Sequence, residues 1–337
     1  MFLTSLNIWS KAGPVMFETI RLFATVSRAE FLLPNLGSLI MGLAWGANPP
    51  LSFTDAAILV VLSFTIINLS SAIGAQANTI SDYELDTRDD RKKQLVQAFD
   101  RIGRSQLKLA LVAEFLLALA LVFLFMLIQG KSVLLFMWIA GITLGYFYSA
   151  PPLRIKSKSW LAPIALILVL AVFPVLFAYY TFASELNPLF LVSLAGLALT
   201  VYGVIVPTET RDYFGDKAMG IETMTVHLGL VKASFLGIVL LIAGGILTGA
   251  AFFFGFAYGP YPVLSVFLVA VAVAVFIVLR KFWKLYALSK EYESSKGQSS
   301  IAQEIVSLSA HNPQWIMLVT QAYSFMSILF LISKFLP

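Results

Sequence analysis

Residues 76–90 read Q-A-N-T-I-S-D-Y-E-L-D-T-R-D-D and follow an apolar run that begins near Ile58. Within this stretch Asn78, Asp82 and Asp86 recur at intervals of four residues. Because residues four apart lie on one face of an α-helix, a helix that continues through the stretch would carry a polar stripe at its end. A chain that only leaves a membrane could use any polar residues. The spacing therefore predicts a membrane helix that ends in a functional site.

The composition is that of a membrane protein. The 337 residues are 59% hydrophobic and 12% charged, and the mean hydropathy is +0.87, which excludes an ordinary soluble domain. Lipid offers no partners to backbone polar groups, so segments that cross it must be helices. We expect an all-α polytopic membrane protein, a single domain over residues 1–337, with nine transmembrane helices around a central cavity. The nine spans are 31–47, 54–79, 107–128, 132–150, 161–183, 189–207, 234–257, 261–279 and 314–335.

The basic residues indicate the orientation. With nine spans, 21 Lys and Arg fall on the side of the N-terminus, whereas the opposite side holds 2, Lys131 and Lys334. The positive-inside rule then places the N-terminus and the acidic motifs in the cytoplasm. The same asymmetry explains the net charge of +5, so the charge indicates no nucleic-acid partner.

Three segments outside the spans have predicted roles. Within residues 1–30 we find no cleavable signal peptide, and residues 14–30 are expected to form an amphipathic helix on the membrane surface. Residues 80–106 and 208–233 are expected to be cytoplasmic loops that cap the site. The chain has no cysteine, which excludes disulfides and thiolate chemistry.

A second acidic cluster follows the sixth span, in P-T-E-T-R-D-Y-F-G-D-K-A-M-G-I-E-T-M-T-V-H-L-G, residues 207–229. Asp212 and Asp216 repeat the four-residue spacing on the same side of the membrane. Carboxylates near a bilayer are costly without a function, and a divalent cation would offset their repulsion. The alternative, solvated charge at the membrane boundary, is the better interpretation for Glu84, Asp89 and Asp90.

These motifs resemble those of the UbiA superfamily of intramembrane prenyltransferases. N-x-x-x-D-x-x-x-D after the second span and D-x-x-x-D after the sixth are similar to the two aspartate-rich motifs of that family. The run Y-F-Y-S-A-P-P-L-R, residues 146–154, resembles its Tyr- and Pro-rich segment. Two departures stand out: Thr79 and Thr208 occupy positions where family members carry acids, and the Arg-Pro that often follows the first motif is absent.

The resemblance implies Mg²⁺-dependent transfer of a prenyl group from a prenyl diphosphate to a small acceptor, an aromatic or quinone precursor, within the lipid bilayer. Asp82, Asp86, Asp212 and Asp216 would be catalytic and, with Asn78, would hold the metal. Aromatic faces stabilise cations, and Tyr146 and Tyr148 are candidates, although an interfacial aromatic belt explains them equally well. The expected phosphate-binding residues are Arg154 and Lys217, followed by Lys93, Arg211, Lys92 and Arg91.

Other interpretations remain open at this point. A UbiA-related enzyme could use a non-aromatic acceptor, of the ether-lipid or phosphoribosyl-lipid type. An ion-coupled transporter would need acids near mid-span, where only Glu114 lies. His227 is a candidate general base or a plain interfacial histidine. For the prenyltransferase, the ends of spans two and six must face each other across a cavity whose deeper part is apolar, with residues such as Phe147 and Leu43.

Overall fold

The computed structural model of the chain describes residues 16–89 and 92–336. These residues form helices joined by short connections, with no strand among them. In chain order the α-helices are α1 (16–26), α2 (Leu32–Gly46), α3 (Phe53–Asp86), α4 (Lys93–Ile102), α5 (Arg104–Gln129), α6 (Ser132–Ser149), α7 (Leu161–Ile167), α8 (Phe173–Phe182), α9 (Pro188–Ala218), α10 (Met224–Leu228), α11 (Leu230–Ala257), α12 (Leu268–Ser294), α13 (Ser299–Ser309) and α14 (Asn312–Phe335).

Eight helical segments of the described chain are long and apolar enough to cross a membrane. They are Thr54–Asp86, Arg104–Gln129, Ser132–Ser149, Leu161–Phe182, Pro188–Ala218, Leu230–Ala257, Pro262–Ser294 and Ser299–Phe335. The first predicted span is α2, whose 15 residues fall short of that length but pack against α8 and α14 inside the bundle. The all-helical, polytopic membrane fold is thus confirmed, with eight full-length spans and α2 as a shorter ninth segment.

Both motif-bearing helices continue past the apolar run. Helix α3 extends to Asp86 and α9 to Ala218, so the four-residue spacings do fall on helical faces. We call this end of the bundle, where α3 and α9 finish, the motif end.

The segments expected to be cap loops contain more helix than predicted. In 80–106 the end of α3, all of α4 and the start of α5 are helical, while residues 90 and 91 lie outside the described chain. In 208–233 the described residues include the end of α9, α10 and the start of α11. The reason in α4 is its apolar stripe, because Leu95, Ala98, Phe99 and Ile102 are buried on one face.

Helix α1 provides the other wall of that small core. Its Val26 is buried in one cluster with the apolar face of α4. Nearer its start, Met16, Phe17 and Ile20 are exposed. Residues 16–26 of the predicted amphipathic segment are therefore helical, with the end of the helix packed and its start exposed, whereas residues 14 and 15 lie outside the described chain.

Helices α9 and α11 approach each other closely because glycines line their contact. A Cβ atom added at Gly244 would lie 2.3 Å from Thr200 Oγ1 and 2.6 Å from the carbonyl oxygen of Gly196. Small residues allow such close backbone packing between membrane helices. The helix that carries the second acidic motif is consequently fixed along its length by α11.

The two lysines of the opposite end satisfy helix termini. Lys131 Nζ donates to the carbonyl oxygens of Tyr180 and Ala183 at 2.9 Å each, at the end of α8. Lys334 Nζ donates to those of Trp45 at 3.2 Å and Ala47 at 3.1 Å, at the end of α2. The last carbonyls of a helix lack intrahelical partners, so these lysines act as caps. Burial lowers the pKa of the Lys131 ammonium.

Candidate active site

The carboxylates at the end of α3 are buried. Asp82 is 5% exposed and Asp86 2% exposed. One turn before Asp82, Asn78 Nδ2 donates to Asp82 Oδ2 at 3.0 Å and to Ser149 Oγ at 2.6 Å. The Asn78 amide therefore holds the Asp82 side chain in place and ties α3 to the end of α6.

Two basic side chains from the connection between α6 and α7 reach Asp82. Arg154 Nη2 lies 3.3 Å from Asp82 Oδ1, and Lys156 Nζ forms an ion pair with Asp82 Oδ2. Burial lowers the pKa of the Lys156 ammonium, and the neighbouring Asp82 carboxylate opposes that shift. Arg154 was among the predicted phosphate-binding residues, whereas Lys156 was missed; its position two residues after Arg154, in P-P-L-R-I-K, was the available signal.

Asp86 has a different environment. Its Oδ1 pairs with Lys92 Nζ at 2.5 Å, while its buried Oδ2 has no hydrogen-bond partner among the described residues. A buried oxygen without a partner is costly. It is the kind of atom that a cation would satisfy. Arg91, another of the predicted phosphate-binding candidates, lies outside the described residues.

The end of α9 is more open. Asp212 has a side chain that is 29% exposed, and Arg211 pairs with it through Nε to Oδ1 at 3.0 Å and Nη2 to Oδ2 at 3.1 Å. Glu209, one turn earlier, accepts hydrogen bonds from Thr225 N at 3.2 Å and Thr225 Oγ1 at 2.8 Å. Glu209 thereby attaches α10 to α9. It was not among the predicted site residues, although it adjoins Thr208, where family members carry an acid.

The two acidic helix ends meet around Tyr148 of α6. The Tyr148 phenol lies within electrostatic range of Asp82 on α3 and of Glu209 and Asp216 on α9. Tyr202 adjoins the same place, because its hydroxyl is 3.5 Å from Glu209 Oε1. Motifs about 130 residues apart in the sequence are therefore close together in the bundle.

A cavity of about 730 Å³ opens beside this cluster. It separates the end of α3 from the end of α9, and its lining includes Arg154 and Lys156. The remaining lining residues are Leu85, Arg88, Ser157, Ala218, Met219, Gly220, Ile221 and Glu222. We expected the four aspartates, with Phe147 and Leu43 below them, to form the walls. None of these six residues lines this cavity, and Asp82 is reached from it through the two bases.

Other predicted site residues lie elsewhere. Lys217 is turned to Tyr213, with Nζ 3.3 Å from the hydroxyl and 5.5 Å from the ring centroid. Lys93 is exposed at the start of α4, and Tyr146 is exposed with its ring edge-on to Phe147. Lys217 does not point in the direction of Asp216, because adjacent residues on a helix are rotated by about 100° from each other.

The last two candidates, His227 and Glu114, make contacts with other side chains of the bundle. The His227 ring packs edge-on against Trp160, with centroids 5.5 Å apart. Glu114 accepts hydrogen bonds from Gln76 Nε2 at both carboxylate oxygens, at 3.0 and 2.9 Å. Gln76 also bonds to Ser27, so this intramembrane acid joins α5, α3 and the end of α1.

The carboxylates suit a divalent metal that a substrate helps to bind. Within the described residues no three His, Cys, Asp or Glu side chains are grouped as a complete metal site. Mg²⁺ commonly takes only one or two carboxylates, with water and substrate phosphate as its other ligands. The Asp82–Asp86 pair, with its unpartnered Asp86 oxygen, and the Asp212–Asp216 pair fit that donor set.

Comparison with known proteins gives the family. The model of the UbiA prenyltransferase family matches residues 35–292. The chain is 29% identical over 240 residues to lycopene elongase/hydratase of Haloarcula japonica, covering 71% of this chain and 76% of that protein. It is 25% identical over 104 residues to chloroplastic chlorophyll synthase of Oryza sativa subsp. japonica, covering 31% of this chain and 27% of that one.

Solved structures share the fold. A UbiA homologue from Aeropyrum pernix K1 aligns with a TM-score of 0.63 at 17% identity, over 91% of this chain and 98% of that one. A UbiA homologue from Archaeoglobus fulgidus bound to GPP and Mg²⁺ aligns with a TM-score of 0.56 at 20% identity, over 88% of this chain and 99% of that one. With the family match over most of its length, the chain belongs to the UbiA prenyltransferase family and is an integral membrane prenyltransferase.

Proposed function

We propose that the chain transfers a prenyl group from a prenyl diphosphate to a small acceptor, with Mg²⁺ held between the ends of α3 and α9. The observation that carries this proposal is the cavity that both helix ends line, through Leu85 of α3 and Ala218 of α9. A single metal–diphosphate group beside the 730 Å³ cavity would then be within reach of both motifs. The binding of GPP, of DMAPP and of Mg²⁺ by the Archaeoglobus homologue supports the same substrate class.

Each motif has an assigned role. Asp82, Asp86, Asp212 and Asp216 hold the metal, and Asn78 orients Asp82 through its 3.0 Å hydrogen bond. When bound, Mg²⁺ stabilises the diphosphate leaving group. Arg154 and Lys156 line the cavity, and each has N–H donors beyond those that contact Asp82. They bind the diphosphate oxygens, and Lys156 takes the role that the sequence suggested for Lys217.

Tyr148 and the segment 219–222 are assigned to the stabilisation and protection of the carbocation. As the donor C–O bond breaks, its electron pair leaves with the diphosphate and an allylic carbocation remains, which the acceptor attacks before losing a proton. The ring of Tyr148 lies beside the acidic cluster, where an electron-rich face stabilises such a cation. The segment 219–222 lines the cavity and, in this proposal, limits the access of water, which would otherwise capture the cation.

The acceptor is the part of the proposal with two candidates. An aromatic or quinone precursor is the first. The second is a polyene hydrocarbon, favoured by the 29% identity to a lycopene elongase/hydratase over 71% of the chain. Ether-lipid and phosphoribosyl-lipid acceptors complete the panel that a test needs. Family membership sets the transporter aside.

Orientation can be tested with the same protein. We propose that the N-terminus and the motif end face the cytoplasm, as the 21-to-2 distribution of basic residues indicates. The chain has no cysteine, so one cysteine in place of Lys296 should be labelled by an impermeant reagent only after the cells are opened. A cysteine added after Pro337 should be labelled in intact cells. The reverse labelling would contradict the orientation.

The activity test uses purified protein, Mg²⁺, and labelled farnesyl and geranylgeranyl diphosphates with each acceptor class, and identifies products by mass. We expect one acceptor class to be prenylated and the reaction to stop when a chelator is added. Donor binding that persists undiminished in chelator would contradict the metal role. Failure of every acceptor while the donor is consumed would instead point to the non-transfer release of the prenyl group.

A further inference from the structure

A second, smaller cavity lies at the motif end, next to the cavity of the proposed reaction, and shares Arg154 with it. Its volume is about 280 Å³, and it lies between the last turns of α3 and the first turn of α5. The side chains of Arg88, Arg104 and Arg154 line it, with Glu84 as the one carboxylate among the lining residues. Three arginines from separate segments of the chain therefore border one small space.

Existing contacts leave these guanidinium groups with donors to offer. Arg154 contacts Asp82 through Nη2 at 3.3 Å, and Arg104 contacts the carbonyl oxygen of Ile80 through Nη2 at 3.3 Å. A guanidinium carries several further N–H groups in a planar fork. Tyr83 is also among the lining residues, and its hydroxyl donates to Asp100 at 2.6 Å. The Asp100 carboxylate is thus already occupied and does not compete with a phosphate for the arginines.

We propose that this smaller cavity binds a phosphate group of a ligand other than the prenyl donor. Arginine forks match the geometry of phosphate oxygens, and several of them around one space bind a tetrahedral anion more strongly than they bind a carboxylate in solution. The volume of 280 Å³ suits a phosphate with part of its ester, whereas the donor with its tail needs the larger cavity.

The two cavities are neighbours but can be tested separately. Leu85, Arg88 and Arg154 line both, so a phosphate in the smaller cavity would lie next to the donor site. Arg104 lines only the smaller cavity and Lys156 only the larger one. The inference does not depend on the proposed reaction, because the phosphate group is bound without metal and without donor.

The test measures phosphate binding to the full-length protein in a phosphate-free detergent that contains a chelator. Calorimetry with inorganic phosphate should show binding to the wild type and a loss of about tenfold in affinity for Arg104→Gln. Glu84→Gln should bind more tightly. Lys108→Gln, one turn further along α5 and also exposed, removes the same charge outside the cavity and should change affinity less than twofold.

Two further measurements make the result decisive. Arg104→Lys keeps the charge without the fork and should bind with intermediate affinity, which also serves if Arg104→Gln does not fold. Short-chain phosphatidic acid, with the matching diacylglycerol as the control without phosphate, shows whether the phosphate comes from a lipid or a soluble ligand. Tighter binding of phosphatidic acid than of inorganic phosphate identifies a lipid headgroup, and equal binding identifies a soluble phosphate. The inference is overturned if the wild type binds neither, or if Lys156→Gln lowers affinity while Arg104→Gln does not.

Discussion

The two acidic helix ends differ in how their charge is compensated. At the end of α3, Asp82 and Asp86 are buried and paired with bases that come from outside the helix, Arg154, Lys156 and Lys92. At the end of α9, Asp212 is partly exposed and pairs with its own neighbour Arg211. Buried charge requires a partner, whereas exposed charge is stabilised by water. The charge at the α3 end is thus compensated mainly by bases from other segments, with one Asp86 oxygen left without a partner among the described residues, and the α9 end is the more exposed one.

The helices also differ in how they are held. Helix α9 is fixed by glycine-mediated packing against α11, while the end of α3 is held by polar contacts such as the hydrogen bond from Asn78 to Ser149 of α6. The comparison suggests that α9 supplies a rigid wall and that the α3 end, with its connection 150–160, responds to the substrate. The predictions below separate these two roles.

The largest effect is expected from the aspartates themselves. Asp82→Ala and Asp216→Ala should each lower turnover at least about a hundredfold, because each removes a ligand to the metal that stabilises the leaving group. Product formation at saturating donor measures this, with thermal unfolding to show that both variants fold. If Asp216→Ala kept most of its activity, the open end would be dispensable and the site would belong to α3 alone.

Lys156→Ala should have the next largest effect. We expect the KM for the prenyl diphosphate to rise about tenfold, because a charge-assisted hydrogen bond to phosphate is lost. The exposed Lys158 of the same connection provides the control, and Lys158→Ala should leave KM within twofold. Equal effects of the two substitutions would show that only the overall charge of the connection matters.

Substitution of a glycine at the contact with α9 tests how rigidly the α9 wall is held. Gly244→Ala should lower the free energy of unfolding by about 1–3 kcal/mol, since the added methyl group meets the backbone of α9. Gly249 lies on the same helix, with open space where its Cβ would be. Gly249→Ala should be neutral or slightly stabilising, because alanine favours helix. Equal unfolding temperatures for the two variants would show that close packing against α11 does not make α9 the more rigid of the two helices.

The smallest effect should come from Lys217→Ala. Its ammonium packs on the Tyr213 ring and does not line the cavity, so we expect less than a twofold change in the KM for the donor. The assay is the one used for Lys156→Ala, which makes the pair a direct comparison of a base at each end. A tenfold change would mean that Lys217 reorients towards the diphosphate.

The acidic motifs show what the sequence can predict. Helical periodicity is a local property, and it indicated that Asp82 and Asp86 would share a face if the helix continued past the predicted span, which ended at residue 79. Helix α3 does continue to Asp86, and α9 continues past Asp216. Lys156 was missed because its approach to Asp82 depends on how the connection 150–160 folds over α3, which no local pattern specifies. Lys217 was a predicted phosphate-binding residue, and its contact with Tyr213 is likewise a side-chain placement that no local pattern specifies.

The short helix α2 has a consequence for the surrounding bilayer. Its 15 residues rise about 22 Å, against a hydrocarbon core of about 30 Å, and the Lys334 ammonium at its end stabilises carbonyls that lipid would leave unpaired. A helix shorter than the hydrocarbon core is accommodated by local thinning of the bilayer or by snorkelling of flanking residues. The free energy of unfolding of this protein should therefore depend on the acyl chain length of the surrounding lipids, and it should differ between membranes of different thickness.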